Sequence, residues 1–98
     1  MNTLNSAIEW FYTHCIKDRK LSAHTIKAYR HDLAKFCVFA SRHVTQPLVE
    51  IVDRNLVRDW LANMETVKPR TVRRRHATLK SMFASLERFG KITENPLA

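Results

Sequence analysis

Apolar residues recur along this chain at spacings of three and four, in four separate runs, and no run alternates with the two-residue period of a strand. The first run, about residues 3–18, aligns Leu4, Ala7, Ile8, Phe11, Tyr12, Cys15 and Ile16. The second, about 23–42, aligns Ile26, Tyr29, Leu33, Phe36, Cys37 and Ala40. A short third run, about 54–65, follows Asp53 as its N-cap and carries Leu56, Val57, Trp60, Leu61 and Met64. The fourth, about 69–89, carries Val72, Leu79, Met82, Phe83 and Leu86, and Gly90 stands where a left-handed residue closes a helix. These periods predict an all-α chain of four helices, and 98 residues suffice for one hydrophobic core.

The second and fourth helices begin alike. LSAHTIKAYR and VKPRTVRRRH align without a gap, pairing Leu21 with Val67, Thr25 with Thr71, Ile26 with Val72 and Lys27 with Arg73. With Ser22 and Lys68 as N-caps, Leu21/Ile26 and Val67/Val72 take the spacing of a hydrophobic staple. Pro69 then falls at N1, where its missing N–H costs nothing. Each start combines free backbone N–H groups, a threonine hydroxyl and a basic side chain, a set suited to a phosphate.

Charge sharpens this picture. The net charge is +8, and residues 68–91 hold eight Lys/Arg against one acid, Glu87, whereas residues 1–67 hold nine against seven. A helical wheel separates Arg70, Arg73, Arg74, Ala77, Lys80, Ser81 and Arg88 from the apolar stripe of the fourth helix. His24, Lys27, Ala28, His31 and Lys35 stand opposite the stripe of the second. Arg30 and Arg75 lie nearer the core, where pairing with an acid such as Asp32 or Asp59 is the structural expectation. A merely solvated helix face mixes signs in i,i+4 pairs, yet no acid occurs between residues 68 and 86. Localised positive charge with a pI of 10.1 suits a polyanion, which relieves the self-repulsion by counterion release. The aromatic residues fall mostly on core stripes, so stacking platforms for single strands are not apparent and duplex DNA is the better partner.

Other chemistries find little footing. Cys15 and Cys37 sit among apolar residues and read as buried reduced thiols, and the five histidines show no zinc spacing, so no metal or cofactor is expected. No apolar run approaches the length of a membrane span, and the N-terminus lacks a signal pattern, so a soluble, cytoplasmic protein is expected. No glycine-rich loop or nucleophile elbow supports independent catalysis. The alternative to DNA binding is a helical protein–protein interaction module whose basic face meets an acidic partner. A helix-turn-helix regulator fits poorly, given the long loop at 43–52.

Two segments resemble a known family. LSAHTIKAYRHDLAKF (21–36) is similar to the L-S-x-x-T-x-x-x-Y-x-x-D-L-x-x-F signature of the N-terminal, SAM-like core-binding domain of tyrosine recombinases, the phage integrase family. Residues 68–98 resemble its second signature, a Thr-led basic helix followed by G-x-I-x-x-N-P, here Thr71, Phe83, Gly90, Ile92, Asn95 and Pro96. The resemblance implies a four-helix orthogonal bundle that clamps a recombination half-site through helices two and four. Carried over by position, it implicates Thr25, Lys27, Ala28, Arg70, Thr71 and Arg74. Phosphate contacts are expected from Lys27, Arg70, Arg73, Arg74 and Lys80, with Lys27 and Arg74 expected also to reach bases, and Arg74→Ala is expected to weaken DNA binding without loss of fold. Lys68, where many members have a capping Ser, and the arginine-rich turn 73–75 depart from the pattern. The family's tyrosine nucleophile and its arginine, lysine and histidine partners lie on a separate C-terminal domain. The resemblance thus implies a core-binding domain over residues 1–94 and the start of a linker at 95–98. It also implies a non-catalytic segment of a prokaryotic, nucleoid-associated recombinase, monomeric alone and beside neighbouring protomers on DNA.

Overall fold

The computed structural model describes residues 3–42 and 44–98. Four helices, α1 (Leu4–Lys17), α2 (Ala23–Ala40), α3 (Arg54–Ala62) and α4 (Pro69–Arg88), form a bundle, and no β-strand occurs among the described residues. The stretch expected as a loop at 43–52 contains a 3-10 turn, Val49–Ile51; position 43 lies outside the described residues. An isolated bridge pairs Thr3 with Leu48, and the Leu4 N–H donates to the Pro47 carbonyl at 2.8 Å, fastening this loop to the start of α1.

Local chemistry sets the helix ends. Thr3, Ser22 and Asp53 accept from the backbone N–H groups of Ser6, Thr25 and Leu56, each three residues on, as N-caps do. Lys68 occupies the same position before α4 with extended backbone but no capping side chain, and Pro69 takes N1. At the other end Gly90 adopts φ +70°; its N–H donates to Glu87 O, and that of Lys91 to Leu86 O at 2.8 Å. Those two bonds complete a Schellman motif that satisfies the last carbonyls of α4. The third helix ends at Ala62, three residues earlier than its apolar period suggests, and Met64 is buried from the turn beyond it.

The four stripes meet in one core. Phe11, Phe36, Phe83, Leu4, Leu33, Leu79, Met82 and Leu86 are wholly buried, and Phe36 meets Trp60 edge-on at 4.9 Å. Leu21, Val67 and Val72 pack against this core, as the staple positions require. Cys15 is buried and Cys37 half-buried, both as free thiols. This packing seats α4 against α1 and α2 and leaves the remaining faces of α2 and α4 outward.

Candidate nucleic-acid interface

On α2, His24, Lys27, His31 and Lys35 are exposed and Thr25 and Ala28 half-buried. On α4, Arg70, Arg73, Arg74, Ala77 and Lys80 are exposed, with Thr71 and Ser81 half-buried. Every residue expected on the basic faces therefore reaches the surface. Helix α2 has one carboxylate, Asp32, and it is turned inward; α4 has one, Glu87, in its last turn, where it accepts from Asn95 Nδ2 at 3.3 Å. The two outer faces are consequently positive over most of their length.

Asp32, expected to pair with Arg30 or Arg75, takes Arg74 as its principal partner instead. The Asp32 side chain is 0% exposed, at the seam between α2 and α4. Arg74 grips it with two hydrogen bonds, Nε to Oδ2 at 3.2 Å and Nη2 to Oδ1 at 2.6 Å, and Thr78 Oγ1 donates to Oδ2 at 2.8 Å. Arg75, 12% exposed, places Nε 3.9 Å from Oδ1. A buried carboxylate persists only when charge and hydrogen bonds replace its water, and this one has both. The hydrogen bond to Asp32 holds the Arg74 guanidinium protonated even beyond the ordinary arginine range. Arg74 is thus at once a surface cation and a strut between the helices. A signal existed: Tyr29, Asp32 and Phe36 share the spacing of three and four, as do Arg75, Thr78, Leu79, Met82 and Leu86. Polar residues inside an apolar stripe require partners there.

The remaining polar groups separate into engaged and free. Thr25 Oγ1 accepts from Ser22 Oγ at 3.1 Å, so it belongs to its helix cap as well as to the surface. Ser81 accepts from Arg19 Nη1 at 3.0 Å, which brings a cation from the end of α1 to the flank of α4, a contact that no helical period could show. Arg30, expected to pair with an acid, instead lies 4.4 Å above the Tyr12 ring and forms no ion pair among the described residues. Arg75, expected to pair with an acid, faces Asp32. Tyr12 is buried, with its hydroxyl directed at the Arg30 carbonyl, and burial raises its phenol above the usual range although Arg30 lowers it. Tyr29 stacks on Phe11 at 5.6 Å. Among the described residues no group of three His, Cys, Asp or Glu could hold a metal ion, and no helix is long and apolar enough to cross a membrane.

Residues 8–90 match the family described as phage integrase, N-terminal SAM-like domain. The chain belongs to that family. Integrase-type relatives match over nearly its whole length. A tyrosine recombinase XerC of Pelobacter propionicus is 33% identical over 98 residues, covering 98% of this chain and 32% of the relative. A tyrosine recombinase XerD of Listeria innocua is 36% identical, covering 96% of this chain and 32% of the relative. A XerC of Xanthomonas campestris pv. campestris is 32% identical over 94 residues, covering 95% of this chain and 29% of its own length. The chain thus spans about a third of the curated relatives that it matches. No solved structure matches it. The match spans both of the similar helix starts, which stand 46 positions apart in α2 and α4.

Proposed function

We propose that this chain is the DNA-binding segment of a site-specific tyrosine recombinase and that it clamps duplex DNA through α2 and α4. The observation that carries the reading is the inward turn of Asp32, which leaves the outward faces of α2 and α4 with no exposed acid before Glu87 in the last turn of α4, alongside five exposed cations, Lys27, Lys35, Arg70, Arg73 and Lys80. Duplex DNA presents regularly spaced phosphates to such a surface, and each one neutralised releases counterions. Small residues, Ala28 and Ala77, let each helix come close to a groove.

Lys27, Arg70, Arg73 and Lys80 have no carboxylate partner among the ion pairs of the described residues and serve as phosphate contacts. Thr25 and Thr71 at the helix starts add hydroxyl and backbone donors. His24, His31, Lys35 and Ser81 flank this centre. Residues 1–94 act as the binding unit and 95–98 begin a linker, while the strand-cleaving chemistry is assigned to other parts of such a recombinase. Tyr12 and Tyr29 are engaged in packing, which is why neither is assigned as a nucleophile. The active assembly places neighbouring protomers side by side on DNA, and the segment alone is a monomer.

Replacing Arg73 by Glu tests the assignment, because it reverses one free cation without touching the core. Affinity for a mixed-sequence duplex should fall at least about tenfold, and the slope of log affinity against log salt should flatten by about one to two phosphate contacts. Unchanged duplex binding, with tight binding to an acidic polypeptide instead, would favour the protein–protein module.

A further inference from the structure

We propose that Asp32 is a positioning residue that turns Arg74 into a reader of guanine; this rests on the DNA-binding reading above. An arginine has five N–H donors in a rigid planar fork. Here Asp32 uses one side of that fork, the Nε–H and one hydrogen of Nη2. The opposite edge, formed by Nη1 and the second Nη2 hydrogen, has no partner among the described residues, and the side chain is 47% exposed. That edge carries two parallel donors, the pattern that pairs with O6 and N7 of guanine in the major groove.

Three observations favour a base over a phosphate for this one arginine. First, Arg74 is held in one plane, whereas the side chains of Arg70, Arg73 and Lys80 make no hydrogen bond among the described residues and follow a phosphate wherever it lies. Fixed orientation is what base recognition requires and what phosphate contact does not. Second, Asp32 already neutralises much of the Arg74 charge, which weakens its long-range pull on DNA but leaves its directional donors intact. Third, Ala77, one turn on, is small and exposed, so the backbone nearest Arg74 can approach the floor of a groove. Thr78 secures the carboxylate from the adjoining position, and Arg75 stands close behind it. The guanidinium plane is therefore set from inside the bundle.

The test is selection of bound sequences from a randomised duplex library, by the unaltered chain, Arg74→Lys and Asp32→Asn, with thermal melting of each. The unaltered chain should enrich guanine at one position, with a preference of roughly 5- to 150-fold over other bases. Substituting 7-deazaguanine there, which lacks the N7 acceptor, should abolish much of that preference. Arg74→Lys keeps the charge and a bond to Asp32 but has no fork, so the guanine preference should disappear, a loss far larger than any change in affinity for duplexes lacking that guanine. Asp32→Asn should lose the preference with Arg74 still present, an effect that acts through orientation alone. Should that variant fail to fold, Arg74→Lys and the deaza substitution decide the matter. Persistence of the preference in either folded variant, or duplex binding without any guanine dependence, overturns the role of Asp32 and Arg74 while leaving DNA binding intact. Absence of binding to any duplex at low salt overturns the functional reading, and this inference with it.

Discussion

Arg74→Ala separates two roles that the sequence alone assigned to binding. The substitution removes the two-bonded partner of a fully buried carboxylate and leaves Asp32 with Thr78 and with Arg75 at 3.9 Å. Breaking a buried ion pair by removing one partner costs about 3–5 kcal/mol. Arg74 itself is 47% exposed, so part of its charge is already solvated, and Arg75 can close on the carboxylate. Both features reduce the cost, to about 2–3 kcal/mol. For a domain of this size each kcal/mol moves the melting point by about 4–8 °C, giving a fall of roughly 8–24 °C. Arg73→Ala is the control: its side chain is exposed on the same turn, and the change should stay within about 0.5 kcal/mol. Urea and thermal denaturation followed by far-ultraviolet circular dichroism measure both. If Arg74→Ala melts together with Arg73→Ala, the Asp32 pair is an ordinary surface salt bridge and the strut does not exist. The sequence-based expectation that Arg74→Ala would spare the fold thus acquires a specific opponent in the buried carboxylate.

Lys68→Ser should stabilise the chain by about 0.5–2 kcal/mol, because its hydroxyl can cap the Thr71 N–H as Ser22 caps Thr25, and urea midpoints would register the gain. The same change removes a cation next to the basic face, so duplex affinity should fall while stability rises. Burial raises the Cys15 thiol, outweighing the lowering effect of Arg19, and burial also raises the Tyr12 phenol. The unfolded chain therefore ionises first: stability is unaffected below the ordinary thiol value of 9.0 and declines as pH rises through that value and then through the phenol's 10.0. Urea midpoints compared at neutral pH and at pH about 10 should show this fall, and Cys15→Ala should lessen it.

Periodicity made most of this fold legible. The stripes of α1, α2 and α4 are strong, Ser22 and Asp53 were legible as the caps of α2 and α3, and Gly90 marks an end that only a left-handed residue closes easily. The end of α3 was less legible, since Met64 continues the apolar period while packing from a turn. Surface position on α2 and α4 was also legible, because charge opposite an apolar stripe must face outward. What stayed hidden was contact between distant segments. No spacing along one helix shows that Arg19 reaches Ser81, 62 positions away, or that Asp32 meets Arg74 across a helix seam. Asp32 was legible as an acid that an arginine near the core would meet, but its choice of Arg74 over Arg30 or Arg75 was not, because that depends on how α2 and α4 pack.

The most direct test of DNA binding by the α2–α4 face is fluorescence anisotropy of a labelled duplex of about three helical turns, titrated with the chain at several salt concentrations. Binding should weaken with salt at a log–log slope of about −3 or steeper, since several exposed cations each release counterions at about −0.9 per phosphate. Absence of binding at low salt, or an affinity indifferent to salt, would contradict a phosphate-clamping role for Lys27, Arg70, Arg73 and Lys80.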